Sequence, residues 1–156
     1  PGLFHQQPVN VAQQRAADAL LEFRSALVID DALAAKDPTN LDLQRDVAVA
    51  HAQIGDALLA EKDASGALSE YRAALAIREA LTAKDPAYAD RRDAVAEVDE
   101  KVGDALVARG DLKHGLDAYR RAQVIAKDLA RQDPTDADLR KQVDGLTRKL
   151  GTTGRR

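Results

Sequence analysis

Histidine is the side chain best suited to acid-base chemistry near neutral pH and to imidazole metal ligation, and the chain carries three, His5, His51 and His114. A metal site or catalytic base on a helix usually needs a second ligand three or four residues away. None of the three histidines has a His or Cys at that spacing. We therefore expect no metal, no cofactor and structural roles for His51 and His114.

Paired carboxylates can perform acid-base catalysis where a closed pocket shifts their pKa values. Glu97, Asp99 and Glu100 are such a cluster, but Lys101 follows them and basic residues recur at helical spacing around them. This pattern is typical of a solvated helix face with ion pairs between residues four apart. The cluster therefore does not predict an acid-base site.

The sequence also contains no motif for an activated nucleophile and no phosphate-binding loop. Ser25, Ser65 and Ser69 have no neighbouring His, and no G-x-S-x-G turn occurs. Gly103 and Asp104 lie inside a predicted helix and not in a loop after a strand, where phosphate-binding glycines lie. We predict that the chain is not an enzyme.

The composition indicates a helical protein of ordinary charge. Of 156 residues, 45% are hydrophobic, 31% are charged and only 3% are aromatic, so Ala, Leu and Val supply most of the apolar surface. The net charge of −3 is small, and the basic groups at Arg120-Arg121 and Arg148-Lys149 have no interleaved aromatic residues. These features argue against nucleic acid as a partner.

The termini and hydropathy bear on location. No run of 18 apolar residues occurs and the first residues lack the pattern of a signal peptide, so we predict no membrane segment and a cytoplasmic location. The chain has no Cys, which leaves the redox compartment open. It also has no Met at position 1, and we interpret it as a fragment or processed form.

An internal repeat of 48 residues decides the predicted architecture. Asp-Pro recurs at positions 37, 85 and 133, and Gly-Asp-Ala-Leu recurs at 55–58 and 103–106. The same spacing relates Phe23, Tyr71 and Tyr119. Such periodicity is the signature of a protein built from stacked supersecondary units.

Each unit is predicted to contain two helices. Asn40 and Asp42 can cap the first helix, and apolar residues follow a 3.6-residue period until Glu61. The second helix is expected to end at Lys84, because a residue that precedes a proline avoids helical geometry. In the following unit Gly110 suits the position after a helix end that requires positive φ.

The predicted domain organisation is an all-α array of about six helices. An irregular segment, 1–8, precedes a helical repeat domain, 9–151. This domain comprises a half repeat at 9–36, complete repeats at 37–84 and 85–132, and a half repeat at 133–151. We expect the helical pattern to be lost from Gly151 and residues 152–156 to form a flexible C-terminus.

Spacing within the units resembles the tetratricopeptide repeat. Gly55, Leu58, Ala67, Tyr71 and Ala74 match the family's L-G-x2-Y…A-x3-F…A pattern, although the period is longer than the family's ~34 residues. His51 and Asp99 replace the family's Trp, which places His51 at a helix crossing. The sequence looks like a long-helix variant known from bacterial multidomain proteins.

This resemblance implies a right-handed superhelical solenoid of antiparallel helix pairs whose first helices line a concave groove for a peptide or a partner helix. The predicted partner groove comprises Val49, Ala52, Gln53, Asp56, Leu59, Glu97, Glu100, Lys101, Asp104, Val107 and Arg148. Asp56, Glu100 and Asp104 make its middle acidic, so we expect a neutral or basic protein or peptide as partner.

Two other functions stay open. The terminal half repeats lack a partner helix, which predicts bare stripes at Leu20, Phe23 and Leu27 and at Leu139, Val143 and Leu146 that could mediate a homodimer. Alternatively, the array could be the regulatory arm of a larger multidomain signalling enzyme. The main prediction is a protein-protein interaction scaffold.

Overall fold

The computed structural model describes residues 11–85 and 91–155 and, within these ranges, contains helices and no strands. The helices are α1 (Val11–Lys36), α2 (Leu41–Ala60), α3 (Ala64–Lys84), α4 (Arg92–Ala108), α5 (Leu112–Gln132) and α6 (Ala137–Thr153). The predicted all-α class with about six helices is confirmed. The predicted irregular segment 1–8 lies outside the described residues.

Local sequence signals set the helix ends. The side chain of Asn40 accepts hydrogen bonds from the backbone N–H groups of Asp42 and Leu43, which have no partner inside α2. α3 ends at Lys84, as predicted from the following Asp-Pro. Gly110, directly after the end of α4, has φ of +86°, which confirms its predicted role.

The end of the last helix differs from the prediction. The loss of helical pattern expected at Gly151 does not occur, because α6 continues to Thr153 and the N–H of Gly154 donates to the carbonyl of Leu150. Thr153 is buried at 8% exposure. The tertiary environment of the last turn therefore outweighs the low helix propensity of a Gly-Thr-Thr sequence.

Consecutive helices pack against each other in sequence order, and α4 also contacts α6, as in an all-α solenoid. One core cluster includes Ile54, Leu68 and Tyr71, and a second includes Tyr119 and Leu146. Both tyrosines are almost fully buried. First helices α2, α4 and α6 thus share second helices α3 and α5 as common packing partners.

The terminal helices are better covered than the sequence suggested. The predicted bare stripe on α1 is wrong, because Leu20 is buried and Phe23 and Leu27 pack against the first core cluster. At the other end Leu146 is fully buried in the second cluster. α2 packs against α1 and α5 packs against α6, so one neighbouring helix is enough to cover these side chains.

Candidate partner-binding face

Two equivalent ion pairs join the first helices along one face. Nζ of Lys101 on α4 lies 2.7 and 2.8 Å from the carboxylate oxygens of Asp56 on α2. Nζ of Lys149 on α6 lies at the same two distances from Asp104 on α4. Both donors and both acceptors are 48 residues apart, so the repeat of the sequence is also a repeat of electrostatic contacts.

A buried tyrosine supports each ion pair. The hydroxyl of Tyr71 donates to Asp56 and that of Tyr119 donates to Asp104, each at 2.7 Å. The lysine Nζ atoms also lie 5.9 and 5.5 Å from the respective ring centroids, within the range of cation-π attraction. We call these two sets, Tyr71-Asp56-Lys101 and Tyr119-Asp104-Lys149, the Tyr-Asp-Lys ladder.

Glycine makes room for each tyrosine. A Cβ atom at Gly55 would lie 2.5 Å from Cε1 of Tyr71, closer than side-chain atoms approach each other. Gly103 stands in the same relation to Tyr119. The conserved spacing of glycine and tyrosine in the two units therefore has a steric cause, and the ring lies directly across the first helix.

The ladder perturbs its titratable groups. Burial, the hydrogen bond to Asp104 and the nearby carboxylates raise the pKa of Tyr119 well above its usual range, and Tyr71 beside Asp56 behaves likewise. Burial opposes the charge of Lys149, but Asp104 and Glu100 outweigh it and the pKa of Lys149 is raised. All three groups therefore hold their protons more tightly in the folded state.

The predicted acidic middle of the partner groove is largely neutralised. Asp56 binds Lys101, while Asp104 and Glu100 both bind Lys149, the latter at 2.7 Å. The sequence prediction counted these carboxylates as free surface charges, and this interpretation is wrong. Two lysines face these three carboxylates, so most of their negative charge is matched inside the molecule and contributes little to the attraction of a ligand.

Other predicted groove residues divide by exposure. Ala52 is part of the core cluster, and Leu59 and Val107 pack against the core clusters, so these three do not offer an open surface. Val49 is half-buried. Gln53, Glu97 and Arg148 are exposed and remain available for contacts.

Carboxylates outnumber cations in a cleft between α4 and α6. This acidic cleft has a volume of about 500 Å³ and is lined by Asp93, Glu97, Glu100, Asp136, Asp138, Leu139, Lys141 and Gln142. Only Lys141 among these is basic, and it lies 3.6 Å from Asp138. Asp93, Glu97 and Asp138 are exposed. The excess of carboxylates gives this part of the face a negative potential.

The two histidines in the described residues each contact a carboxylate. Nδ1 of His51 lies 2.6 Å from Glu70 where α2 crosses α3, the position predicted for it. The equivalent Asp99 is buried and accepts from Arg121 at 2.8 Å. His114 contacts Asp111, the N-cap of α5. Within residues 11–85 and 91–155, no group of three potential ligands could hold a metal ion.

Sequence reasoning missed the partners in the ladder. It recognised that Tyr71 and Tyr119 repeat, but it did not connect them to Asp56 and Asp104, and Lys149 was not among the predicted groove residues. The signal was present, because Lys149 follows Lys101 by one repeat length. Matching every polar residue at that spacing would have identified the ladder.

The sequence was also compared with known proteins. No model of a known protein family matches the chain, and no curated protein resembles it significantly. The likeness to the tetratricopeptide repeat therefore remains a prediction that rests on the motif residues. In the part of the chain that the structure describes, no helix is long and apolar enough to cross a bilayer.

Proposed function

We propose that the protein is an interaction scaffold that binds a basic segment of a partner protein on the face of its first helices. The observation that carries this proposal is the acidic cleft between α4 and α6, whose carboxylates outnumber its single lysine. The resemblance to tetratricopeptide repeats supports the same face as the site of peptide binding.

The charge of the cleft favours a particular ligand. Glu97 lines this cleft and belongs to none of the ion pairs of the described residues, although its charge acts on Arg78 and opposes the effect of burial on the pKa of that group. A Lys or Arg side chain of a partner would gain charge-assisted hydrogen bonds here, whereas an acidic segment would be repelled.

The ladder beneath the face makes it a rigid base for binding. Asp56 and Asp104 are each held by a tyrosine and by a lysine from the next first helix. A surface that does not reorganise loses less entropy when a ligand binds. The first helices therefore present their exposed side chains at fixed relative positions.

Selection from a random peptide library displayed on phage tests the proposal. We expect the protein to enrich peptides that carry Lys or Arg, and we expect Glu97→Lys to weaken binding of the selected peptides about tenfold, or about 1.4 kcal/mol. Glu79→Lys is the matched control, because Glu79 is equally exposed but lies on α3, away from the cleft. Its affinities should equal those of the wild type.

The charge dependence provides a second measurement. Affinity for a selected basic peptide should fall as the salt concentration rises, since the contacts are at the surface and are screened. Enrichment of acidic peptides, or equal binding by the wild type and the Glu97→Lys variant, would contradict the proposal.

A further inference from the structure

A groove with a volume of about 360 Å³ lies where the first half repeat meets the first complete repeat. It is formed by α1, α2 and α3, and we call it the internal groove. α1 and α2 contribute Asp31, Ala34, Gln44 and Val47, and α3 contributes Ala76, Ile77 and Ala80. α3 thus contributes three apolar residues to the groove that it forms with the preceding unit.

An equivalent cavity lies at the end of the array, where it is formed by two helices and not by three. Lys127, Ala130, Arg140 and Val143 line a cavity of about 580 Å³ on α5 and α6. These four residues stand two repeat lengths after the four that α1 and α2 contribute to the internal groove. In the described part of the chain, no helix fills the place that α3 takes in the internal groove.

α1 carries residues equivalent to those that α3 contributes to the internal groove. Val28, Ile29 and Ala32 precede Ala76, Ile77 and Ala80 by one repeat length, and Val28 and Ile29 are 70% and 59% exposed. Ile29 is the informative position, because the equivalent Ile77 and Ile125 are partly buried in the complete units, whereas Val124, an equivalent of Val28, is 69% exposed there.

A second set of apolar residues on α1 is exposed to solvent, whereas the equivalent residues on α3 are buried. Leu33 is 43% exposed, whereas the equivalent Leu81 on α3 is 2% exposed. Ala26 is exposed, whereas the equivalent Ala74 is fully buried. α3 packs against α2, the first helix of its own unit, whereas α1 has no such helix in the described residues.

We propose that α1 of a second copy of this chain docks on α5 and α6 and so completes the unit that α6 begins. The contact continues the packing that already joins α2 to α3 and α4 to α5. Of the residues that line the acidic cleft it uses Lys141, and it does not depend on the function proposed above.

Steric matching at the centre of this contact supports the choice of occupant. Gly151 of α6 is equivalent to Gly55 and Gly103, which accommodate Tyr71 and Tyr119, and Phe23 of α1 is equivalent to those tyrosines. The surface above Gly151 is open, because a Cβ there would meet only Arg155, at 3.6 Å. The second copy's Phe23 fits this place.

The polar groups of the tyrosine-aspartate pair are both replaced at the proposed junction. In the two complete units the tyrosine hydroxyl donates to Asp56 or Asp104. At the proposed junction the residue equivalent to these aspartates is Thr152, and the aromatic residue is Phe23, which has no hydroxyl. Neither partner therefore leaves a buried donor or carboxylate without its counterpart.

Charge at the junction is complementary as well. Within the chain, Arg45 on α2 and Arg78 on α3 line one small cavity. Burial lowers the pKa of Arg78 most, Glu97 and Asp93 raise it, and Arg45 lowers it by a smaller effect. The equivalent residues at the junction are Lys141 on α6 and Asp30 on α1 of the second copy. Opposite charges thus replace a repulsive pair.

Such a contact joins two different surfaces, so each added copy offers a fresh end and the assembly grows head to tail. Light scattering should therefore give a mass for the wild type that rises with concentration beyond two copies. Gly151→Leu should remain a single copy, because its side chain occupies the place of Phe23. Gly145→Leu is the control on the same helix, since a Cβ at Gly145 meets nothing within 4 Å, and it should assemble like the wild type.

The opposite end allows an independent test. Ile29→Lys should abolish assembly by placing a cation against Lys127 and Arg140, whereas Leu21→Lys should not. Leu21 is 64% exposed and its equivalent Ser69 is exposed within a complete unit, so this position lies outside the junction. Circular dichroism should show the same helical content for all variants.

Mixing distinguishes the proposed arrangement from other modes of self-association. The Gly151→Leu chain keeps a free α1 and the Ile29→Lys chain keeps a free α6 surface, so an equimolar mixture should form dimers and grow no further. A wild type that stays a single copy at every concentration, a Gly151→Leu variant that assembles like the wild type, or a mixture without dimers would each overturn the proposal.

Discussion

Glycine, tyrosine and aspartate act as a unit in each complete repeat. Gly103 lets the ring of Tyr119 cross the first helix, and the ring presents its hydroxyl to Asp104. Because the carboxylate is fixed by this bond, Lys149 of the next first helix meets it in a defined position. A missing side chain thus controls an ion pair between two helices.

Substitution of glycine by alanine should have opposite effects at two sites on the first helices. An added methyl at Gly103 would collide with the buried ring of Tyr119, and we expect Gly103→Ala to lower the free energy of unfolding by about 1–3 kcal/mol. Gly145→Ala on α6 meets no atom and should raise it by up to about 1 kcal/mol through helix propensity.

Urea denaturation followed by circular dichroism measures both changes. A stabilised Gly103→Ala variant would show that the tyrosine is free to move and does not need the glycine. Equal effects at the two positions would mean that helix propensity alone decides the outcome.

At this scale the sequence predicted the participants better than their contacts. Asp56 and Asp104 were correctly placed on the first helices, but their charge was misjudged because each binds a lysine 45 residues further along the chain. Helical periodicity predicts which side of a helix a residue occupies. It does not predict which residue of another helix lies opposite, since that depends on packing geometry.

The first helices of the two complete units end in the same backbone conformation but with different residues. The residue after the C-cap has positive φ in both, +66° at Lys62 after α2 and +86° at Gly110 after α4. The left-handed conformation costs little for glycine but about 1 kcal/mol or more for a residue with a side chain. Lys62 therefore adopts a strained backbone conformation that its equivalent avoids.

Exchange of these residues should change stability in opposite directions. Lys62→Gly should raise the free energy of unfolding by about 0.5–1 kcal/mol, and Gly110→Lys should lower it by about 1 kcal/mol. Thermal unfolding monitored by circular dichroism detects both. A destabilised Lys62→Gly variant would indicate that contacts of the lysine side chain outweigh the backbone strain.

Elements were the most predictable level of the structure. The Asp-Pro repeats and the period of the apolar residues predicted the end of α3 and the position of Gly110, because these signals act within a few residues. The last turn of α6 was missed, since Gly151 and the threonines after it are stabilised by tertiary packing around Thr153. Coverage of Leu20 by α2 was missed for the same reason.

Stability of the whole array should depend on pH in the alkaline range. Tyr71 and Tyr119 have pKa values raised from 10.0 by burial and by their aspartates, so the folded state keeps both phenol protons at a pH where the unfolded chain loses them. The raised pKa of Lys149 acts in the same direction. The contribution is complete below about pH 10 and is lost as pH rises through the folded-state pKa values.

We expect the free energy of unfolding to fall above about pH 10, by up to about 1.4 kcal/mol per pH unit for each proton that only the folded state retains. A Tyr71→Phe, Tyr119→Phe double variant should show a shallower decline. Urea denaturation at several pH values between about 8 and 11 measures this slope. Equal slopes for the two proteins would show that the ladder does not control alkaline unfolding.

The polar pairs that join the helices within each unit differ between the units, and this difference matters when a repetitive chain folds. His51 meets Glu70 in one unit, whereas the equivalent Asp99 meets Arg121 in the next. If α4 took the place of α2 against α3, Asp99 would be buried near Glu70, and two carboxylates would face each other without a cation. The polar pair of each unit is therefore compatible only with the correct partner helix. This difference disfavours misfolded states in which a helix of one unit takes the place of its equivalent in the other.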